Sequence, residues 1–508
     1  MLLAILSAIL GIPAFPLPGI YPLGFIFLVP LFIFFIKERK LSRLILGAFI
    51  FRLIFSTGIT FFVFEPVIFL LSIFIFLGLP LSIFFSRLLI KKLKPVSASA
   101  ELEDFLMLIL MPFVWTFWDF LQAQFSFLPT FIITTGNIFG SSPFLGLAAF
   151  GGLTTLTLFA AAINCLIAFL ILNFKKWELK KSAIFALFIV FIISAGFLIS
   201  KSKLKNNKFA YQDLTAKFKA ALVSNKENFD QEFRFFKNDI LSPEEKALAE
   251  TLMEKKLNLI KNELSGQKLD LIILPEDMIH LDSLKDSDTE AKNKFGIENA
   301  GVLIMAYRGL AQELNANLAA TLNTIQNGKR YKSTILFNRQ GELIDVYNKL
   351  NLTIIGEYWP FGNWRPFYYN LIKKFSQDKV GMGGAIFNKE AAFQPGQGKI
   401  LRIENVIFGS AICGEIQYPW QMKTLKKMGA GFISHNTTED WLIFGLKNLR
   451  ELTNNLRKIE AVWLKIPILI NGREEMAGVI TPDGEIKSVN FESQNKNFGI
   501  FIGIIKAN

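Results

Sequence analysis

The sequence predicts two domains in series, a polytopic α-helical membrane domain over residues 1–205 and an α/β domain over residues 206–508. Two observations predict this. The chain of 508 residues is 52% hydrophobic with 53 Phe, and its mean hydropathy of +0.38 is too apolar for a soluble enzyme of ordinary composition. The apolar residues are also unevenly spread. Long unbroken runs fill the first domain, whereas short β-rich runs alternate with polar helical stretches in the second.

In the first domain, apolar runs at 20–36, 44–64, 66–90, 105–120, 144–172 and 182–200 are separated by charge clusters or by Pro and Gly. Each approaches the roughly 20 residues that a spanning helix needs, and with the short run before Pro13 they make about seven helices. No charged region precedes Leu2 and the first run leads directly into further apolar segments, so a retained N-terminus is expected. Lys37, Arg39, Lys40 and Arg43, then Arg87, Lys91, Lys92 and Lys94, then Lys175, Lys176, Lys180 and Lys181 mark alternate loops. Basic loops face the cytoplasm, which sends the chain after Ser200 to the extracytoplasmic side. Lys201, Lys203, Lys205 and Lys208 run against that pattern, although a large folded domain translocates despite such charge.

In the second domain, strands are expected at 269–274, 334–337, 406–412 and 466–470, with helices at 244–262 and 447–458. Asn338-Arg339-Gln340-Gly341 and Thr481-Pro482-Asp483-Gly484 read as hairpin turns. The formal charge of +13 is scattered between apolar segments rather than gathered in a stripe, which argues against nucleic acid as a partner. The two cysteines, Cys165 in an apolar run and Cys413 in the polar half, exclude a disulfide framework and a thiolate zinc cluster. Sulfur chemistry here is single-thiol chemistry.

Three motifs can carry that chemistry. Leu271-Ile272-Ile273-Leu274-Pro275-Glu276 is an apolar strand that delivers a carboxylate at its C-terminal edge, where α/β sites form. Tyr347-Asn348-Lys349-Leu350 brings a lysine to a hairpin-strand end, and Gly356-Glu357-Tyr358-Trp359-Pro360-Phe361 follows as a loop suited to fold over a site. Val406-Ile407-Phe408-Gly409-Ser410-Ala411-Ile412-Cys413-Gly414-Glu415 runs a buried strand into a thiol, ahead of a helical segment at 416–427. A helix N-terminus there would lower the thiol pKa. Taken singly, each residue also has an ordinary structural use, as a solvated strand-end acid, an edge lysine and a packed cysteine.

Glu on one strand end, Lys tens of residues later and Cys on a later strand-to-helix turn, in that order, resemble the pattern of the nitrilase superfamily. The resemblance narrows to the apolipoprotein N-acyltransferases. Asn348-Lys349-Leu350-Asn351-Leu352 with Gly356-Glu357-Tyr358 is similar to their lysine and second-glutamate block, and Ala411-Ile412-Cys413-Gly414-Glu415 to their cysteine block. In the membrane half, 11–22 with Ala14-Phe15, 115–121 and 136–152 resemble family segments, as do 460–467, Asn471-Gly472 and 479–485 near the end. The chain departs from the family at Gly414, where an aromatic residue is usual, and at Asp119, which lacks a following Arg. It also carries a loosened Ser434-His435-Asn436-Thr437-Thr438-Glu439-Asp440-Trp441 loop, has Arg450 near a position often held by His, and stops at Asn508 ahead of the family's usual final membrane helix.

The resemblance implies a nitrilase-like α-β-β-α sandwich and a catalytic triad of Glu276, Lys349 and Cys413, supported by Glu357, Glu415 and Gly414. Trp359, Phe361, Asn436 and Trp441 are its substrate-binding candidates, and Trp364, Tyr368 and Tyr369 join Trp359 and Phe361 as interfacial aromatics. It implies a phospholipid acyl donor, a diacylated bacterial apolipoprotein acceptor and a monomeric multi-pass protein of the bacterial inner membrane with its catalytic domain outside the cytoplasm. Neither metal nor dissociable cofactor is implied. A membrane-tethered amidase or hydrolase and a catalytically inactive lipoprotein-binding homologue stay open as alternatives.

Overall fold

The computed structural model describes residues 1–15, 20–60, 76–93, 100–125, 133–214, 216–225, 243–276, 286–353, 357–359, 361–362, 364, 392–438, 448–473, 477–489 and 498–507. The chain forms two compact units. One comprises Met1–Phe209 with Leu442–Lys465 and Pro482–Gly484; the other comprises Ala210–Trp441, Ile466–Thr481 and Glu485–Asn508.

The first unit is helical. Its helices are α1 (Leu2–Ala14), α2 (Val29–Lys37), α3 (Leu41–Thr60), α4 (Gly78–Leu93), α5 (Ala100–Phe125), α6 (Leu153–Asn173) and α7 (Leu179–Gln212). Leu41–Ile59, Leu102–Leu121, Leu153–Asn173 and Leu179–Gln212 are long and apolar enough to cross a membrane, and Leu2–Ala14 and Tyr21–Lys37 are shorter apolar helices. The run expected as one helix at 144–172 breaks at Gly152, whose φ of 63° ends one helical turn before α6 begins. With no Cβ, glycine adopts that conformation at little cost.

Apolar faces alone do not fix such a bundle, and buried polar groups supply the register. Asn164 on α6 accepts the N–H of Leu28 at 3.0 Å and donates to the carbonyl of Gly24 at 2.9 Å, satisfying backbone left open before α2. Trp115 donates to Thr135 Oγ1 at 3.0 Å, and the Thr135 N–H donates to Asp119 at 2.8 Å. A helix from late in the sequence, α12 (Asn448–Leu464), packs within this unit. Asn137 donates to the Leu452 carbonyl at 2.9 Å and Asn455 to the Asn137 carbonyl at 3.1 Å.

The second unit is built on a sheet whose central order is β5-β4-β3-β2-β1-β9-β8-β7-β6. Its strands are β1 (Ala216–Asn225), β2 (Leu271–Glu276), β3 (Asn317–Gln326), β4 (Lys329–Phe337), β5 (Leu343–Asn348), β6 (Ile400–Ile403), β7 (Val406–Ile412), β8 (Phe432–Thr438), β9 (Ile468–Arg473), β10 (Ala477–Ile480), β11 (Ile486–Val489) and β12 (Phe498–Ala507). β1, β2 and β3 run parallel, as do β7, β8 and β9. Leu271, Ile272, Ile273 and Leu274 are all buried, as a parallel strand covered on both faces requires.

The two halves of this sheet face each other. Leu271, Ile273, Ala319, Leu336 and Tyr347 from one half pack with Leu401, Phe408, Ile412, Phe432 and Leu469 from the other. Phe432 stacks on both Phe218 and Phe408 with ring centroids 4.9 Å apart. On the outer face of β1–β5, α8 (Pro243–Leu264), α9 (Thr289–Phe295) and α10 (Gly301–Glu313) contribute Met253, Ile260, Ala291, Leu303, Ile304 and Leu310 to a second core. On the outer face of β7, Leu425 of α11 (Pro419–Lys427) reaches Gly409. The result is the expected α-β-β-α sandwich, in which each buried Leu, Ile or Phe contributes about 1.5–3 kcal/mol. The hairpin turn at 338–341 forms as its residues dictate, with Gly341 at φ 76° and its N–H donating to the Asn338 carbonyl at 2.9 Å.

Candidate active site

Between the facing half-sheets, the apolar layer gives way to polar side chains near the strand ends. Thr334 Oγ1 on β4 meets Ser410 Oγ on β7 at 2.9 Å, and Asn436 on β8 donates to Thr321 Oγ1 on β3 at 2.8 Å. These bonds cross the sandwich and set the strand ends against each other. Above this floor stand Glu276 at the end of β2, Lys349 just after β5 and Cys413 just after β7. Glu276 and Lys349 are buried, at 3% and 0% exposure.

Each charged member has its own partner. Lys349 Nζ lies 2.7 Å from Glu357 Oε1, and Glu357 Oε2 accepts the Thr353 N–H at 2.6 Å. The loop after β5 therefore folds back on the lysine that begins it. Lys332 Nζ lies 2.8 Å from Glu276 Oε1. Burial acts to lower the Lys349 pKa, but Glu357, Cys413, Glu276 and Glu415 together hold it above the usual lysine value.

Glu415 serves the backbone. Its carboxylate accepts the N–H groups of Leu350 at 2.8 Å, Asn351 at 3.1 Å and Ile412 at 2.9 Å. It also accepts from the Tyr347 hydroxyl and from Gln421 Nε2. Burial pushes this carboxyl above its ordinary range, while Lys349 and the donated hydrogen bonds pull it back. The segment that carries Lys349 is thereby tied to the strand that carries Cys413.

Cys413 has a φ of 50°, a left-handed conformation that a residue with a side chain adopts only when its surroundings impose it. His435 Nε2 sits 2.8 Å from the Cys413 carbonyl oxygen and pins the turn from β8. A lowered thiol pKa was the expectation from a helix N-terminus, and the structure corrects it. The turn at Cys413–Gln417 is a short 3-10 segment, and α11 starts only at Pro419. Burial, reinforced by Glu276, pushes the thiol up to about 12, with Lys349 acting in the opposite direction. The resting group at neutral pH is the protonated thiol. A Cβ at Gly414 would lie 3.2 Å from Thr353 Oγ1, so a larger side chain there presses on the loop that holds Lys349.

The other candidates fall into three sets. Trp359 is buried, donates to the Trp364 carbonyl at 2.7 Å and packs with Phe361 and Trp364 in an aromatic cluster. Asn436 is wholly buried and its amide is engaged by Thr321 and Ser434 in the polar floor. Trp441, Tyr368 and Tyr369 lie outside the described residues. Sequence reasoning missed Lys332 and the contact of His435. A lysine near the start of a hairpin strand ordinarily reads as solvated, and a histidine's partner across a parallel pair leaves no local signature.

Two family models match the chain in series: "Apolipoprotein N-acyltransferase N-terminal domain" over residues 7–166 and "Carbon-nitrogen hydrolase" over residues 241–456. The chain is similar to the apolipoprotein N-acyltransferase of Chlorobaculum tepidum, with 22% identity over 350 residues, 66% of this chain and 60% of that one. It is similar to the same-named protein of Aquifex aeolicus, with 25% identity over 171 residues, 34% of this chain and 35% of that one. The matches thus span less than two thirds of either relative. Among solved structures, a nitrilase-superfamily member from Saccharomyces cerevisiae overlays at a TM-score of 0.38 with 16% identity, covering 58% of this chain and 91% of that one.

Proposed function

The chain belongs to the apolipoprotein N-acyltransferase family of the nitrilase superfamily, and from that premise we propose that it moves an acyl chain from a phospholipid, through a thioester on Cys413, to the N-terminal amine of a diacylglyceryl-cysteine lipoprotein. The observation that carries this reading is a cysteine on a left-handed turn facing two buried Lys–Glu pairs. That arrangement suits nucleophilic acyl transfer and calls on no group from outside the chain.

The steps follow from the charges. Cys413 Sγ attacks the ester carbonyl carbon while Glu276 takes the thiol proton, since the resting thiol is protonated. The developing oxyanion is met by Lys349 Nζ and the Gly414 N–H. Glu357 keeps the lysine charged and aimed. Collapse breaks the ester C–O bond, and Glu276 returns its proton to the departing lysophospholipid alcohol. The acceptor amine then attacks the thioester carbonyl, gives its proton to Glu276, and forms the amide as the thiolate leaves. The thiolate recovers a proton from Glu276 and the enzyme is reset.

The helices of the first unit make this a membrane protein, and we place the catalytic unit on the outer face of a bacterial inner membrane from the basic loops at 37–43, 87–94 and 175–181. Trp359, Phe361 and Trp364 then form an apolar cover that keeps water from the thioester. A transferase and a tethered hydrolase differ in the second step. The test is to add a diacylated lipoprotein N-terminal peptide to the acylated enzyme. Discharge onto the peptide amine much faster than into buffer is expected; equal rates, yielding only free fatty acid, would assign a hydrolase.

A further inference from the structure

Glu276 shares its strand end with a second lysine. Lys332 Nζ lies 2.8 Å from Glu276 Oε1, and the two side chains are 8% and 3% exposed. The register of the sheet accounts for the meeting. Glu276 pairs with Thr321 on β3, Thr321 pairs with Thr334 on β4, and Lys332 lies two residues before Thr334 on the same face, opposite Asn323. The Lys349 N–H donates to the Lys332 carbonyl at 2.8 Å, so the two buried lysines sit on neighbouring strands. Each faces its own carboxylate, Lys349 with Glu357 and Lys332 with Glu276. Phe393 covers Lys332, with its ring centroid 5.9 Å from Nζ.

A carboxylate this deeply enclosed favours its neutral acid unless a cation accompanies it. A neutral Glu276 has no capacity to accept the Cys413 proton. We propose that Lys332 is a positioning residue for the reaction: its ammonium holds Glu276 ionised and fixes Oε1, which keeps the base ready for Cys413 at neutral pH. The inference rests on the assignment of Glu276 as proton acceptor made above, and not on the identity of acyl donor or acceptor. Among the described residues, the charged and titratable groups facing this cluster include Lys332 from β4, Lys349 after β5, Glu357 from the following loop, and Cys413 and Glu415 after β7. Lys349 balances Glu357 directly, and among the described residues Lys332 is the cation in salt-bridge contact with Glu276.

The test uses the full-length chain with Cys165→Ala, so that Cys413 is the thiol read out. Alkylation of Cys413 by iodoacetamide is followed from acid to alkaline pH, beside acyl transfer. The acid limb of alkylation reports ionisation of Glu276. In Lys332→Met and Lys332→Gln it should move to higher pH by about one unit or more, the scale of losing a directly paired cation. Lys332→Arg should keep the wild-type limb. The double variant Glu276→Gln/Lys332→Met carries neither charge of the pair and should match Glu276→Gln alone on the acid side, because the two residues act as a unit. An unmoved acid limb in the Met and Gln variants, whatever their overall rates, would overturn the inference and make Lys332 a packing residue. A double variant that differs from Glu276→Gln on the acid side would overturn it as well. If the wild-type chain transfers no acyl group to an amine yet the alkylation limb moves, the transferase reading falls while the role of Lys332 stands.

Discussion

The Tyr347 hydroxyl stands between the two carboxylate oxygens of Glu415, 2.8 Å from one and 2.9 Å from the other. Tyr347 belongs to the strand that leads to Lys349, and Glu415 lies two positions after Cys413, so this contact joins the two halves of the site. The same carboxylate caps the N–H groups of Leu350, Asn351 and Ile412. Glu415→Ala leaves several enclosed donors without acceptors, each costing about 1–3 kcal/mol, whereas Tyr347→Phe forfeits about 1 kcal/mol. Thermal unfolding of the purified variants should show a large loss for the first and a small one for the second. Similar melting points for both would mean that Glu415 does not tie the two halves of the site together.

Lys349 is wholly enclosed, and Glu357 is its ion-pair partner. Lys349→Ala should reduce acyl transfer at least about a hundredfold, the scale of one oxyanion donor. Glu357→Gln keeps the shape but withdraws the charge that raises the lysine pKa, and should fall between that variant and wild type. Phospholipid KM should change little in either. An effect confined to KM would make both residues part of the binding surface.

The thiol pKa of about 12 sets the pH dependence of Cys413. In wild type, alkylation should rise on the acid side as Glu276 ionises, run flat through neutrality and climb again only at strongly alkaline pH as free thiolate forms. Glu276→Gln abolishes the acid limb and the neutral plateau. The variant also takes away a neighbouring anion, and Glu276 is among the groups that raise the thiol pKa, so its alkaline climb should begin at lower pH than in wild type. A neutral plateau in Glu276→Gln as high as in wild type would mean that the thiol ionises without this base.

The basic loops of the helical unit predict that everything after Ser200 lies outside the cytoplasm. A reporter fused after Asn508 should be active only when it is extracytoplasmic. Activity restricted to the cytoplasm would reverse the topology and remove the proposed lipoprotein substrate from reach.

Much of the candidate site was legible because strands end abruptly. Leu271 to Leu274 are apolar without interruption and Glu276 follows at the edge; Val406 to Ile412 lead to Cys413 in the same way. In a parallel strand buried on both faces, a polar residue just past such a run stands at the rim, where sites assemble. Glu357 was readable from its Gly and aromatic neighbours, and it meets Lys349 directly. Lys332 was not, because its pairing depends on the register of β2, β3 and β4, which no local pattern encodes. The state of the thiol was misjudged for a related reason. A short 3-10 turn offers little dipole, and the enclosure that dominates comes from residues far away in the chain. The place of α12 was hidden too. Its polar face reads as solvated, yet Asn454, Asn455 and Arg457 are buried within the helical unit.

In the proposed mechanism Cys413 carries the acyl chain. Full-length protein is incubated with a phospholipid bearing a labelled acyl chain and no acceptor, quenched in acid, digested and read by mass spectrometry. The expected result is a fatty-acyl increment on the peptide containing Cys413, released by hydroxylamine and lost in Cys413→Ala and in Glu276→Gln. An unmodified Cys413 peptide under turnover conditions, or equal labelling of the protein after Cys413→Ala, would contradict it.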